Sequence, residues 1–227
     1  TVTEPLAPLA LSMDSINVFC FGDTTGSIDL SVTGGTPGYS YLWSIGDTLQ
    51  DVDSLVTGTY QVVVTDTNQC VDSLSVFIDQ PFAPIALSAT QVDILCFGDA
   101  TGEVDLTVSG GTPASTGYVF DWNTGAFATE DLADIPFGPY AVLVTDSLLC
   151  SDTLSVTLTQ PDAPIDIDFT ILNVSCFGDS TGDVLAAISG GTVPYTWTWD
   201  APIVDTTLFI DSLPIGDYVL NVIDSNN

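Results

Sequence analysis

Hydrophobic and polar residues alternate along most of this chain, and the alternation returns in blocks. Ser27-Ile28-Asp29-Leu30-Ser31-Val32 puts Ile28, Leu30 and Val32 on one face of an extended segment, and Glu103-Val104-Asp105-Leu106-Thr107-Val108 does the same. A period of two marks a half-buried β-strand. A second kind of strand alternates aromatics: Tyr39, Tyr41 and Trp43, then Tyr118, Phe120 and Trp122, then Tyr195, Trp197 and Trp199. A third kind opens on Gly-x-Tyr, at Tyr60, Tyr140 and Tyr218, and is followed by alternating runs at residues 73–78 and 155–158. No stretch carries a helical period. With the extended segment after each Pro-x-x-Pro, every block holds roughly seven short strands parted by turn residues, which predicts an all-β chain of sandwiches.

The blocks are repeats. Cys-Phe-Gly-Asp-x-Thr-Gly starts at Cys20, Cys96 and Cys176, at spacings of 76 and 80 residues. That period is too long for a solenoid and suits a whole small domain. Pro5 and Pro8, Pro81 and Pro84, and Pro161 and Pro164 precede the blocks; Gly-Gly-Thr follows each first alternating strand, at Gly34, Gly110 and Gly190. Asp66, Asp146 and Asp224 close the Gly-x-Tyr strands, and Cys70 and Cys150 lie four residues after the first two of these. The third such Cys falls at position 228. Thr1-Val2-Thr3-Glu4-Pro5 matches Thr157-Leu158-Thr159-Gln160-Pro161. The expected organisation is therefore residues 1–4 as the last strand of a preceding repeat, then repeats at 5–80, 81–160 and 161–227. The last lacks its final strand, and the whole reads as a portion of a longer array.

Two placements sharpen the sandwich to an immunoglobulin-like one. Trp on the third strand belongs in the core between sheets, and Tyr after Gly at the start of the sixth strand suits a tyrosine corner. The in-strand disulfide of antibody domains is missing, because Tyr plus two is Val62, Val142 or Leu220. Polycystic-kidney-type and fibronectin-type sandwiches lack it as well.

Composition then removes whole classes of function. The chain has no Lys, Arg or His against 30 acidic residues. No side-chain salt bridge can form, and self-repulsion is relieved only by dissolved cations, which fits a saline extracellular setting. Nucleic acid is excluded as a partner, since nothing neutralises phosphates, and so is an anionic membrane surface. Hydrophobic residues make up 45% of the chain, too many for an acidic disordered segment. No apolar run approaches the ~20 residues of a membrane span. Only carboxylates are present for acid–base work, as in glycosidases, with no cleft or cationic partner in sight, so no enzyme is expected.

Cysteines in pairs favour disulfides, and without Cys-x-x-Cys or His a zinc site has no ligands. The pairing expected first is within a repeat, Cys20–Cys70 and Cys96–Cys150, with Cys176 joined to a cysteine outside these 227 residues. The rival joins neighbours, Cys20 with Cys150. The repeated carboxylates Asp23, Asp66, Asp99, Asp146, Asp179 and Asp224 are candidate calcium ligands. The alternative for Asp-x-Thr-Gly is a turn, with Asp bonded to backbone and Gly at positive φ. The aromatic strand reads as core; as a sugar platform it would make the chain a glycan-binding module. Asp-Ser/Thr-aliphatic triplets such as Asp53-Ser54-Leu55 match a glycosylation consensus that β alternation also produces, and Asn173-Val174-Ser175 is a lone sequon.

Taken in order, these motifs resemble the SprB-type repeat of giant surface proteins in gliding Bacteroidota. The resemblance covers the whole chain; the extra residues Ala114-Ser115-Thr116 and the total lack of cationic side chains depart from it. It implies export by the type IX secretion system and display in long cell-surface filaments that act in attachment, gliding or contact with other cells; lateral association of copies is expected separately, from strand edges and apolar faces in a chain without Lys. Contact with a target cell or surface would fall to other parts of the protein. The family supplies no catalytic residue.

Overall fold

Strands form where the period-two pattern lies. The computed structural model describes residues 5–200 and 206–226; the strand expected at residues 1–4 lies outside them. The first repeat contains β1 (Ala10–Ile16), β2 (Gly26–Thr33), β3 (Ser40–Trp43), β4 (Val52–Leu55), β5 (Gly58–Thr65) and β6 (Val71–Ile78). The second contains β7 (Ala86–Val92), β8 (Gly102–Ser109), β9 (Val119–Trp122), β10 (Leu132–Ile135), β11 (Gly138–Thr145) and β12 (Ser151–Leu158). The third contains β13 (Asp166–Leu172), β14 (Gly182–Ser189), β15 (Thr196–Trp199), β16 (Phe209–Leu213) and β17 (Leu220–Ile223).

Sheet order repeats with the sequence. β1-β2-β4 and β3-β5-β6 are the two sheets of the first repeat, and β7-β8-β10 with β9-β11-β12 are their counterparts; the third repeat has β13-β14-β16 and β15-β17. In immunoglobulin lettering these are A-B-E and C-F-G, a constant-type arrangement without strand D. Six strands form where alternation led us to expect about seven. The reason lies in residues 44–51, which turn instead of extending. Gly46 N–H donates to Trp43 O at 2.9 Å, and the Asp51 carboxylate accepts from Leu30 N–H at 2.9 Å, so the segment ahead of β4 is held against β2 as a turn and adds no further strand to the sheet.

The described chain divides into two compact units, Thr1–Ser88 with Leu106–Thr129 and Ala141–Leu154, and Ala89–Asp105 with Glu130–Tyr140 and Ser155–Asn227. In the first, Ile28, Leu30, Trp43, Tyr60, Val62, Val64 and Ile78 form a closed core. The indole N–H of Trp43 donates to Leu49 O at 2.9 Å, so the largest core side chain carries no unpaired donor. The Tyr60 hydroxyl donates to Val56 O at 2.9 Å, the expected tyrosine corner. Gly26 opens β2 because Ile78 packs on it: a Cβ there would lie 2.8 Å from Ile78 Cγ2. The second unit contains a smaller core of Val184, Ala186, Trp199, Ile210 and Leu213. Tyr218 and Trp199 there make the same bonds, to Pro214 O and Thr207 O, each at 2.9 Å. Beside Trp199, Tyr218 and Leu213 lies a groove of about 350 Å³, lined also by Phe169, Ile171 and Val184.

Candidate functional site

Chemistry in this chain concentrates at the two ends of each repeat. At one end the Pro-x-x-Pro segment lies on the Gly-Gly-Thr loop. Gly35 N–H donates to Ala7 O at 2.9 Å, Gly111 to Ala83 O at 2.9 Å and Gly191 to Ala163 O at 2.8 Å. The first glycine of each pair sits at positive φ with its α-carbon against the proline carbonyl. A Cβ on Gly34, Gly110 or Gly190 would lie 1.9, 1.8 or 1.8 Å from the oxygen of Pro8, Pro84 or Pro164.

The buried carboxylate completes this end. Asp66 accepts from Thr36 N–H and from Cys70 N–H, both at 2.8 Å. Asp146 accepts from Thr112, Leu148 and Cys150 at 2.8, 2.9 and 3.0 Å, and Asp224 from Thr192 and Asn226 at 2.9 Å each. Each of these aspartates thus fastens the Gly-Gly-Thr loop to the turn that follows the Gly-x-Tyr strand, and in the first two repeats that turn presents Cys. The Thr36 N–H holds the Asp66 carboxyl below its ordinary value; desolvation opposes the shift, and the Cys70 and Asn68 N–H groups add to it. A folded-state pKa below the unfolded one means that the stabilisation is present above the unfolded value and lost as pH falls through the folded one. The stability gap between the parent chain and Asp66→Asn should be widest near neutral pH and narrow below about 4. Denaturant melts at stepped pH check this, and a gap that widened on acidification would contradict it.

The Cys-Phe-Gly-Asp loop sits at the opposite end. Gly22 N–H donates to the Gln80 side-chain oxygen and Gly98 N–H to that of Gln160, both at 3.0 Å. Both glutamines lie just beyond the last strand of the loop's own repeat. The signature threonine closes the loop: Thr25 Oγ1 accepts from Phe19 N–H at 2.9 Å and Thr181 Oγ1 from Ser175 N–H at 3.0 Å. Sequence reasoning missed both anchors, although Gln recurs immediately before Pro81 and Pro161. Asp23, Asp99 and Asp179 lie in exposed turns, each N–H donating to the Cys three residues back, at 3.1, 3.3 and 3.2 Å. The glycine at positive φ is Gly22, Gly98 or Gly178 of Cys-Phe-Gly. The glycine after Thr begins a strand, which corrects the expected turn geometry.

Cys20 is bonded to Cys150, with α-carbons 5.6 Å apart, within the ordinary range for a disulfide. This overturns the expected Cys20–Cys70 and Cys96–Cys150 pairs and selects the alternative. The cause is the place of the signature loop. Gln80 holds it beside the end of β6, whereas Cys70 precedes the start of that strand, and eight extended residues span about 26 Å. Cys70, Cys96 and Cys176 are free and exposed.

Around the bond, Cys20, Phe21 and Asp23 of the first repeat meet Pro81, Pro84, Ile85, Gly111 and Leu149 of the second across a cavity of about 510 Å³. In the second unit, Cys96 and Phe97 likewise meet Pro164, Ile165, Gly191 and Asp224, and the Asn226 side-chain amide donates to Leu95 O at 2.9 Å. The six aspartates considered for calcium fall at these two kinds of end. Among the described residues no three acidic or Cys side chains converge as metal ligands. Trp43, Trp122 and Trp199 of the aromatic strands are buried.

No curated protein matches the sequence. Among solved structures, extracellular domains 3–5 of Drosophila OTK align over 95% of this chain and 88% of that one, at 12% identity and a TM-score of 0.33. The N-terminal eight Ig domains of Down Syndrome Cell Adhesion Molecule (DSCAM), isoform 1.30.30, align over 86% of this chain and 46% of that one, at 10% identity and a TM-score of 0.26. The SprB repeat family matches residues 14–48, 88–127 and 169–202, each match containing one Cys-Phe-Gly-Asp loop. Matched at three places across its length, the chain is a SprB-type repeat region.

Proposed function

We propose that this chain is a length of stalk in an extracellular adhesive filament, exported through type IX secretion by a gliding Bacteroidota cell. Its role is mechanical. The observation that carries the reading is the Cys20–Cys150 bond, which ties the signature-loop end of one repeat to the Gly-Gly-Thr end of the next. Pulled along the chain, force entering at Cys20 leaves at Cys150 without passing through β2–β6 or β7–β11. The disulfide itself needs an oxidising compartment, as outside the cell. The acidic surface, with 30 carboxylates and no cationic side chain, suits display in saline water, where dissolved cations screen the repulsion. Lateral association of copies into multi-chain filaments depends on the same screening, and attachment to a target belongs to other parts of the protein. No catalytic group or cofactor enters this reading; calcium takes part as one of the screening cations.

Antibodies against the repeats, applied to intact cells of the source organism and imaged, should mark threads outside the cell along their length. Label confined to the cell interior would overturn the proposal. Threads one chain thick would remove the multi-chain part and leave the stalk.

A further inference from the structure

Carboxylates are divided unequally between the two sheets of each repeat. The outward face of β1-β2-β4 sets Asp14 directly opposite Asp29, and β8 turns Glu103 and Asp105 outward in the second repeat. The outward face of the C-F-G sheet is different. In the first repeat Ser40, Thr65 and Val71 form one register row and Leu42, Val63 and Ser73 the next. Among the described residues of β3, β5 and β6, no outward position carries a carboxylate; Asp72 lies on the other register of β6. The second repeat repeats the arrangement on β11 and β12, where Leu143, Thr145, Ser151 and Thr153 face outward and Asp152 does not. Asp121 on β9 is the exception, half-buried with its carboxylate accepting from Gly125 N–H. β15 and β17 of the third repeat present Thr196 beside Ile223 and Thr198 beside Asn221. These faces are open: Leu42 is 57% exposed and Phe77 58%. In a chain with 30 acidic residues, an uncharged face on every repeat is a selected property of that sheet.

We propose that the outward C-F-G face is where a second copy of this chain packs side by side with the first, the same face meeting on both copies. Charge selects the occupant. A cationic partner would be drawn to the acidic A-B-E faces, and the C-F-G face offers it nothing to pair with. A second copy brings the same negative charge, with no Lys, Arg or His to offset it, so it is repelled wherever two acidic faces would meet. Exclusion of carboxylates from one face removes that barrier there. The composition of the face is also self-complementary. Ser and Thr hydroxyls donate and accept, so a hydroxyl-rich face pairs with its own copy, while Leu42, Val71 and Phe77 supply apolar area. Three strands of up to eight residues give roughly 350 Å² per repeat. That is too little for a lasting dimer through one repeat, and many repeats in parallel multiply the effect. The inference rests on the multi-chain part of the proposed function and assigns its surface.

The test is sedimentation equilibrium of the chain with its Cys20–Cys150 bond intact and its free thiols alkylated, at concentrations up to about 1 mM. In dilute buffer one chain mass is expected. In about 1 M NaCl, where the Debye length falls to roughly 3 Å, the average mass should rise with concentration. Ser73→Asp puts one carboxylate in the middle of the face and should weaken association at least about tenfold. Ser73→Asn, of the same size and uncharged, should stay within about threefold of the parent. Ser31→Asp adds the same charge to the outward face of β2 and should also leave association near the parent value. Circular dichroism melts confirm that each variant is folded. A mass that stays at one chain in NaCl overturns the proposal, and so does equal weakening by Ser73→Asp and Ser31→Asp. A monomer that is instead retained on cellulose beads would assign the face to a neutral polysaccharide and overturns it too. None of these failures touches the stalk reading, which the antibody imaging tests separately.

Discussion

Asp146→Ala should destabilise the oxidised chain by ~4 kcal/mol, since it strips acceptors from three backbone donors at once. Thr112, Leu148 and Cys150 all donate to this carboxylate, which is only 3% exposed, so water does not readily replace it. The loss has a structural consequence as well. Asp146 N–H donates to Cys150 O at 2.9 Å while its side chain accepts from Cys150 N–H, so the residue sets where Cys150 stands. The Ala variant should therefore also form the Cys20–Cys150 bond more slowly from the reduced chain. Asp146→Asn keeps one acceptor oxygen and should fall between Ala and the parent. Denaturant melts with thiol titration measure both effects; a loss below about 1 kcal/mol would show that the carboxylate is not the fastener described.

Gly34→Ala should cost about 3 kcal/mol or more, because two penalties act together. The residue sits at φ +68°, where an L side chain is strained, and its new Cβ would fall 1.9 Å from Pro8 O. Nothing flexible can yield there, since the obstacle is backbone held by the neighbouring Gly35-to-Ala7 hydrogen bond. Gly46→Ala provides the comparison: its φ is +86° but no atom lies within 4 Å of the added carbon, so only the conformational penalty remains. Equal losses at the two positions would mean that the Pro-x-x-Pro contact is not tight.

Much of this was legible in the sequence. Alternation located the strands, because one face of each sheet is buried and a strand reports its face residue by residue. Trp43 and Tyr60 could be assigned to core and corner because their roles depend on position along a strand, which spacing records. The disulfide was harder. The seven residues from Phe21 to Ser27 can span about 25 Å, enough to return along one strand, so loop length alone admitted both pairings. The decision rests on Gln80, whose side chain holds Gly22 from 58 positions away, and a bond of that kind leaves no local pattern. The strand count erred for a related reason. Residues 44–51 contain apolar and polar residues in mixture, and the bonds that make them turn, Gly46 N–H to Trp43 O and Leu30 N–H to the Asp51 carboxylate, leave no period in the sequence.

The most direct measurement is single-molecule extension of the chain held by its two ends, oxidised and then reduced. The disulfide encloses 130 residues, so reduction should lengthen the fully unfolded chain by roughly 450 Å. A gain of only ~360 Å, the extended length of the 50 residues from Cys20 to Cys70 together with the 54 from Cys96 to Cys150, would contradict the junction-spanning bond, and so would no gain at all.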